Sequence, residues 1–161
     1  MTDFKALLTV LAEQKVDFIL VGGAAATAHG ATRLTQDVDI VYKRDASNMR
    51  RLVAALKPHH PYPRGAPQGL PFAWDERTLA NGTNFSLTTT IGDIDLLGEI
   101  TGGGTFDQLG SETVVLSIFG NDCRCLGLRK LIAVKRAAGR PKDFESIAEL
   151  ELILDALEPR T

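Results

Sequence analysis

Asp37, Asp39 and Asp95 are the residues of this chain whose type and spacing point to chemistry. Asp37 and Asp39 stand in the run Asp37-Val38-Asp39-Ile40-Val41-Tyr42, whose alternating polar and apolar side chains read as a strand. Residues two apart on a strand project from the same face. Two like charges held that close press each other to keep a proton unless a cation neutralises them. Val38, Ile40 and Val41 imply that the strand is buried, so the pair calls for such a cation, and oxygen donors at this density suit Mg2+ or Mn2+. Taken alone, the short pattern reads more simply as a turn cap at Asp37 and a solvated edge residue at Asp39. Asp95 changes that weighting. It lies in Gly92-Asp93-Ile94-Asp95-Leu96-Leu97, a carboxylate in an apolar strand where charge is costly without a partner. Asp93 points the same way and could stand in for it, but Ile94, Leu96 and Leu97 bury the strand around Asp95. Three acids on adjacent strands can hold two divalent ions.

A second feature lies upstream. The apolar run Phe18-Ile19-Leu20-Val21 closes on Gly22-Gly23, and residues 24–28 then favour a short helix. A glycine turn lets a phosphate approach the backbone, and a helix start offers unpaired N–H groups. It is not a dinucleotide fingerprint, because Ala24, Ala25 and Ala26 follow where a third glycine is needed. A glycine corner beside clustered acids describes a phosphoryl-transfer site.

The elements that must position these residues follow from periodicity. Phe4, Leu7, Leu8 and Leu11 recur at helical spacing, predicting a helix over 4–14 and a turn at 15–17. Strands are expected at 18–21 and 37–42, and a helix at 48–56 on Met49, Leu52, Val53 and Leu56. Five prolines between Pro58 and Pro71 mark a surface loop. Strands follow at 85–90 and 94–97, Gly102-Gly103-Gly104 is a turn, and two more strands are expected at 114–119 and 123–126. Helices at 128–138 and 144–157 finish the chain, with Pro141 between them and Asp143 as a candidate N-cap.

Set out in this way, the sequence resembles the nucleotidyltransferase superfamily. The residues that carry the likeness are Leu20-Val21-Gly22-Gly23, Asp37-Val38-Asp39-Ile40 and Ile94-Asp95-Leu96-Leu97. More narrowly it resembles small stand-alone bacterial nucleotidyltransferase-like proteins, some related to toxins of toxin–antitoxin pairs. There the shared features are Arg33-x-Thr35-x-Asp37-x-Asp39 and the basic run from Lys135 to Asp143. The resemblance spans nearly the whole chain. It implies an α+β nucleotidyltransferase fold, a mixed β-sheet with flanking helices, as one domain over residues 1–161. It further implies that Asp37 and Asp39 ligate two metal ions and that Asp95 ligates the catalytic one and takes or relays the proton of the attacking hydroxyl. Gly22 and Gly23 would hold the β- and γ-phosphates of a nucleoside triphosphate such as ATP. Many active members carry Ser where Gly23 stands, so here only the backbone N–H is left. The implied reaction moves a nucleoside monophosphate to an acceptor hydroxyl on RNA (tRNA in the toxin-like relatives) or protein, and a cognate antitoxin is an implied partner. The alternative is a non-catalytic nucleotide- or partner-binding module of the same fold. A metal-dependent phosphatase is a weaker third reading.

The remaining candidates are basic or aromatic. From Arg124 to Lys142 there are seven basic residues and no acid. Lys135 continues the stripe of Leu128, Leu131 and Ile132, so it leans toward the protein body, where it suits a triphosphate; a snorkelling lysine is the plain alternative. Arg129, Lys130, Arg136, Arg140 and Lys142 read first as a solvated face, then as a landing strip for RNA. Arg33 and Thr35 share the face of Asp37 if the strand starts early, where Arg33 would neutralise carboxylates or touch phosphate. His29 reads as a helix-end residue, and His59 and His60 have no ligand partner nearby. Phe72 and Trp74 read as anchors for the proline loop rather than a base-stacking platform. Cys123 and Cys125 read as reduced strand residues.

The bulk composition excludes several classes. With 161 residues, 44% apolar and 24% charged, the chain can build an ordinary core without staples. A net charge of −2 excludes a general polyanion binder, so any nucleotide contact must come from a local patch. No apolar run reaches membrane length and no secretory leader is visible, so a cytoplasmic setting is expected.

Overall fold

The computed structural model describes residues 1–32 and 35–158. In chain order the helices are α1 (Phe4–Glu13), α2 (Gly22–Ala28), α3 (Ala46–Leu56), α4 (Glu76–Asn81), α5 (Phe106–Leu109), α6 (Leu128–Ala138) and α7 (Phe144–Leu157). The strands are β1 (Phe18–Val21), β2 (Asp37–Tyr42), β3 (Tyr62–Pro63), β4 (Phe85–Thr89), β5 (Gly92–Leu97), β6 (Glu99–Ile100), β7 (Gly104–Thr105), β8 (Thr113–Ile118) and β9 (Asn121–Leu126). Seven strands form a mixed sheet in the order β3-β4-β5-β2-β1-β9-β8, and β6 pairs with β7 apart from it. β2 runs antiparallel to β1 and parallel to β5. The fold is α+β, a mixed sheet flanked by helices, as the sequence predicts.

Local chemistry explains the main elements. Asp3 caps α1 by accepting from the Ala6 amide at 3.0 Å, and Leu7, Leu8 and Leu11 are buried beneath it. Asp45 caps α3 through the Asn48 amide at 2.7 Å. The Asn48 side chain is fully buried and ties three elements together. Its Oδ1 accepts from the Asp17 amide at 2.6 Å, and its Nδ2 donates to the carbonyls of Asp17 (2.9 Å) and Lys43 (2.8 Å). The buried apolar residues of β1, β2, β5 and β9 join those of α1, α2, α3 and α6 in one connected core. Cys123 and Cys125 are buried and unbridged. Burial pushes the Cys125 thiol up to about 12 and Cys123 upward as well, which leaves both unreactive.

Several expectations are corrected. The second helix starts at Gly22, two residues before the alanine run. α4 and α5 are short helices that the periodicity misses; their signals are the caps, Asp75 on the Thr78 amide (2.8 Å) and a reciprocal capping box between Thr105 and Gln108. The proline loop is not wholly a surface loop. Tyr62 and Pro63 form an edge strand on β4, where a missing N–H is tolerated because one side of the strand is unpaired. Trp74 anchors the rest, donating Nε1 to the Val53 carbonyl at 3.0 Å from a buried ring. Asp143 stands at the start of α7 but makes no cap bond; its carboxylate pairs with Arg140 (2.7 Å) instead.

Candidate active site

β2 and β5 lie side by side in parallel register, with Asp37 opposite Asp93 and Asp39 opposite Asp95. Aligned residues of neighbouring strands share a face, so these acids form two rungs of a ladder. Asp37, Asp39 and Asp95 each bring a carboxylate oxygen within 4.8 Å of the others. Oδ1 of Asp39 is buried with no hydrogen-bond partner. Asp39 is pushed up to about 8, first by burial, then by its hydrogen bond with Asp95 and the charges of Asp37 and Asp95, with Arg64 pulling the other way. Asp37 is raised mainly by burial. Burial also raises Asp95, but hydrogen bonds from Asp39, Asp37 and Ser86 and the charge of Arg64 outweigh it, leaving Asp95 below the usual range.

The glycine corner closes against these acids. Gly22 has φ +63°, and a Cβ there would run into the Asp39 carboxylate. Only glycine meets both demands. At Gly23 a Cβ would lie 2.7 Å from the Thr35 hydroxyl, so Thr35 occupies the room a serine side chain would take. Thr35 precedes β2 rather than extending it, and its Oγ1 donates to the Asp37 carbonyl at 3.2 Å. Across a cavity of about 360 Å³ from the corner and the three acids stand Lys135, Arg140 and Lys142. The Lys135 side chain is only 11% exposed, and its Nζ lies 3.7 Å from Asp143 Oδ1. Burial raises the Asp143 carboxyl, but the hydrogen bond and charge of Arg140, with Lys135 and Lys142, outweigh this and hold it low.

A guanidinium enters the cluster from the proline-rich segment. Arg64 Nη1 lies 3.1 Å from Asp95 Oδ1, off hydrogen-bond alignment, and 3.4 Å from Asp37 Oδ2. Its Nε lies 3.6 Å from Asp93 Oδ2.

No family model matches this chain, and no curated protein matches its sequence. Solved structures do match its shape. The lincosamide antibiotic adenylyltransferase LnuA, solved with lincomycin bound, matches with a TM-score of 0.62 over 94% of this chain and 98% of that one, at 17% identity. The antibiotic-resistance factor ANT(2'')-Ia matches in its solution structure (TM-score 0.60, 14% identity, 95% of this chain and 81% of that one). It matches again in complex with adenylyl-2''-tobramycin (TM-score 0.56, 15% identity, 95% and 86%). A Thermotoga maritima protein assigned as a nucleotidyltransferase matches at 0.55 and 14% identity, over 91% and 88%.

The chain has the nucleotidyltransferase fold. Within this nucleotidyltransferase fold, Gly22, Gly23, Thr35, Asp37, Asp39, Asp95 and Lys135, the described residues among those singled out from the sequence, line one cavity. Arg33 lies outside the described residues. Arg140 and Lys142, read from sequence as a solvated face, join that cavity because Gly139, with φ +65°, ends α6 and turns the chain back over it. Arg129, Lys130 and Arg136 pair elsewhere, with Glu158, Glu112 (3.8 Å) and Glu151. His29 ends α2, its Nε2 2.8 Å from the Leu126 carbonyl. Sequence reasoning missed Arg64 altogether. Its only signal was a lone arginine amid prolines, four residues after His60 and eleven before Asp75, in a loop that periodicity cannot read.

Proposed function

We propose that this chain transfers a nucleoside monophosphate from a nucleoside triphosphate to an acceptor hydroxyl, with Asp37, Asp39 and Asp95 holding Mg2+ or Mn2+. The observation that carries the reading is three carboxylates within 4.8 Å of one another, facing a basic wall across a glycine corner. The donor set fits a hard divalent ion: all ligands are oxygens, and the Asp39 Oδ1 is buried and unpartnered. Such an ion supplies charge neutralisation at the α-phosphate and favours ionisation of the attacking hydroxyl. The other roles fall to the chain itself. The backbone at Gly22 and Gly23 approaches the β- and γ-phosphates, and the Thr35 hydroxyl serves where a serine side chain at 23 would otherwise reach. Lys135, Arg140 and Lys142 bind the same phosphates as point charge and fork. Asp95, ionised at neutral pH, accepts and orients the hydroxyl of the acceptor.

ATP is the favoured donor, because LnuA is an adenylyltransferase and ANT(2'')-Ia is solved with an adenylyl product. The same neighbours support a small hydroxylated acceptor beside the RNA, such as tRNA, or protein acceptor implied by the sequence resemblance. An antitoxin partner belongs to that resemblance too, while a cytoplasmic setting is the expectation drawn from the sequence's lack of a leader or membrane-length apolar run. Among the described residues no helix is long and apolar enough to cross a membrane.

The test is incubation with each α-labelled triphosphate and Mg2+ against total RNA, protein extract and small polyols. Label transfer from at least one triphosphate is expected, and Asp39→Ala should reduce it at least a thousandfold while leaving the melting curve cooperative. No transfer from any of the four removes the proposal. The second reading, a nucleotide-binding module without turnover, draws on Gly23 and on the cation already seated among the acids. Calorimetric binding of triphosphate without label transfer would favour it, and release of free phosphate rather than pyrophosphate would indicate a phosphatase.

A further inference from the structure

We infer that Arg64 is the built-in counter-ion of the carboxylate cluster and competes with the divalent ion for it, so that it sets the metal affinity of the site. This rests on the metal-holding role proposed above for Asp37, Asp39 and Asp95.

Three observations carry it. First, the guanidinium reaches the acids across both strands, at 3.4 Å from Asp37, 3.6 Å from Asp93 and 3.1 Å from Asp95. Among the described residues no other cation is ion-paired with these acids; Lys135 pairs with Asp143 instead. Second, Arg64 is held at both ends. Its amide donates to the Ser86 carbonyl and its Nη2 to the Leu87 carbonyl, each at 2.9 Å, and Pro63 before it pairs with Leu87. Tyr62 adds an edge-to-face contact with Phe72 at 6.0 Å, and Trp74 fixes the segment to α3. The charge is thus part of the sheet edge rather than a surface side chain that wandered in. Third, Arg64 leaves one flank open. Asp39 makes no ion pair with it, and the buried Asp39 Oδ1 has no partner.

The consequences are electrostatic. Without Arg64, four acidic side chains on two aligned rungs would face one another with no ion-paired cation among the described residues. With it, the metal-free cluster is held together, and an incoming ion must share Asp37 and Asp95 with a fixed positive charge. Repulsion between cations at that distance in a half-buried site is strong. The ion therefore enters at the Asp39 flank and loosens the guanidinium from the two shared acids.

The experiment is Mn2+ titration of the whole chain without nucleotide, read as loss of the free-ion electron paramagnetic resonance signal. Wild-type protein should bind Mn2+, Asp39→Asn should lose that binding, and Arg64→Gln should bind at least tenfold more tightly than wild type. Equal or weaker binding by folded Arg64→Gln overturns the inference. Equal binding by wild type and Asp39→Asn instead overturns the metal role itself, so the two failures are distinguishable. Should Arg64→Gln not fold, the wild-type Arg64 Nε–H signal answers in its place, assigned by its absence from Arg64→Lys. Titration with Mg2+ should shift that signal and speed its exchange with solvent; a signal unchanged at saturation overturns the inference.

Discussion

Asp39 carries the sharpest consequence at the scale of a single residue. Its carboxyl, pushed up to about 8 by burial first and by Asp95 and Asp37 next, holds a proton in the folded, metal-free chain that the unfolded chain releases near 3.8. A folded-state value above the unfolded one contributes stability that is full at low pH and is lost as pH rises through the folded value. Between about pH 4 and pH 8 the metal-free protein should therefore lose stability from this residue. Asp37, also raised, acts in the same direction. Asp95 is lowered, so its opposite contribution falls below 3.8 and leaves that window alone. Thermal unfolding in EDTA across pH 4–8 should show a falling midpoint, flattened in Asp39→Asn. A midpoint that rises across the range would contradict the buried, proton-holding state of Asp39. The acids were legible because a strand's period of two fixes which residues share a face. Arg64 was not, since what brings it there is a pairing of β3 with β4 that leaves no trace in local periodicity.

At the scale of elements, Asn48 is the joint between α3, the start of β1 and the end of β2. Replacing it with alanine strips partners from the Asp17 amide and the Lys43 carbonyl, both part of a closed network. Asn48→Ala should cost about 3 kcal/mol, read as a shift in the urea midpoint at unchanged slope. A loss near zero would mean that water replaces the side chain. Elements with strong amphipathic spacing, such as α1, α3 and α6, were readable to within about two residues at their ends. α4 and α5 escaped because six- and four-residue helices are too short to show a period, and their caps are ordinary turn residues without the fold around them. Lys135 was legible from its place on the stripe of α6. Arg140 and Lys142 were not, since the turn after Gly139 decides which way they face.

For the whole molecule, the site is assembled from distant stretches: the corner at 22–23, the acids of β2 and β5, and the basic wall at 135–142. The alignment of β2 with β5 is therefore what the chemistry hangs on, and β5 repeats its own acid after two residues, at Asp93 and Asp95. A slide of one pleat repeat would set Asp93 beside Asp39 and carry Asp95 out of reach, with every side chain still on its proper face. Hydrophobic sorting between the two faces does not penalise that vernier error. The N-terminal segment does. Thr2 Oγ1 donates to the Gln36 carbonyl and accepts from the Asp93 amide at 3.1 Å, while the Asp3 amide donates to the Ile91 carbonyl at 2.9 Å. One hydroxyl thus clasps the lead-in of one strand to the first rung of the other. Thr2→Val, which keeps the shape and removes the clasp, should lower stability by about 1 kcal/mol and weaken Mn2+ uptake, though Thr2 is no ligand. Calorimetric melting and the Mn2+ titration would read the two effects separately, and a change in neither would show the strand alignment to be fixed elsewhere.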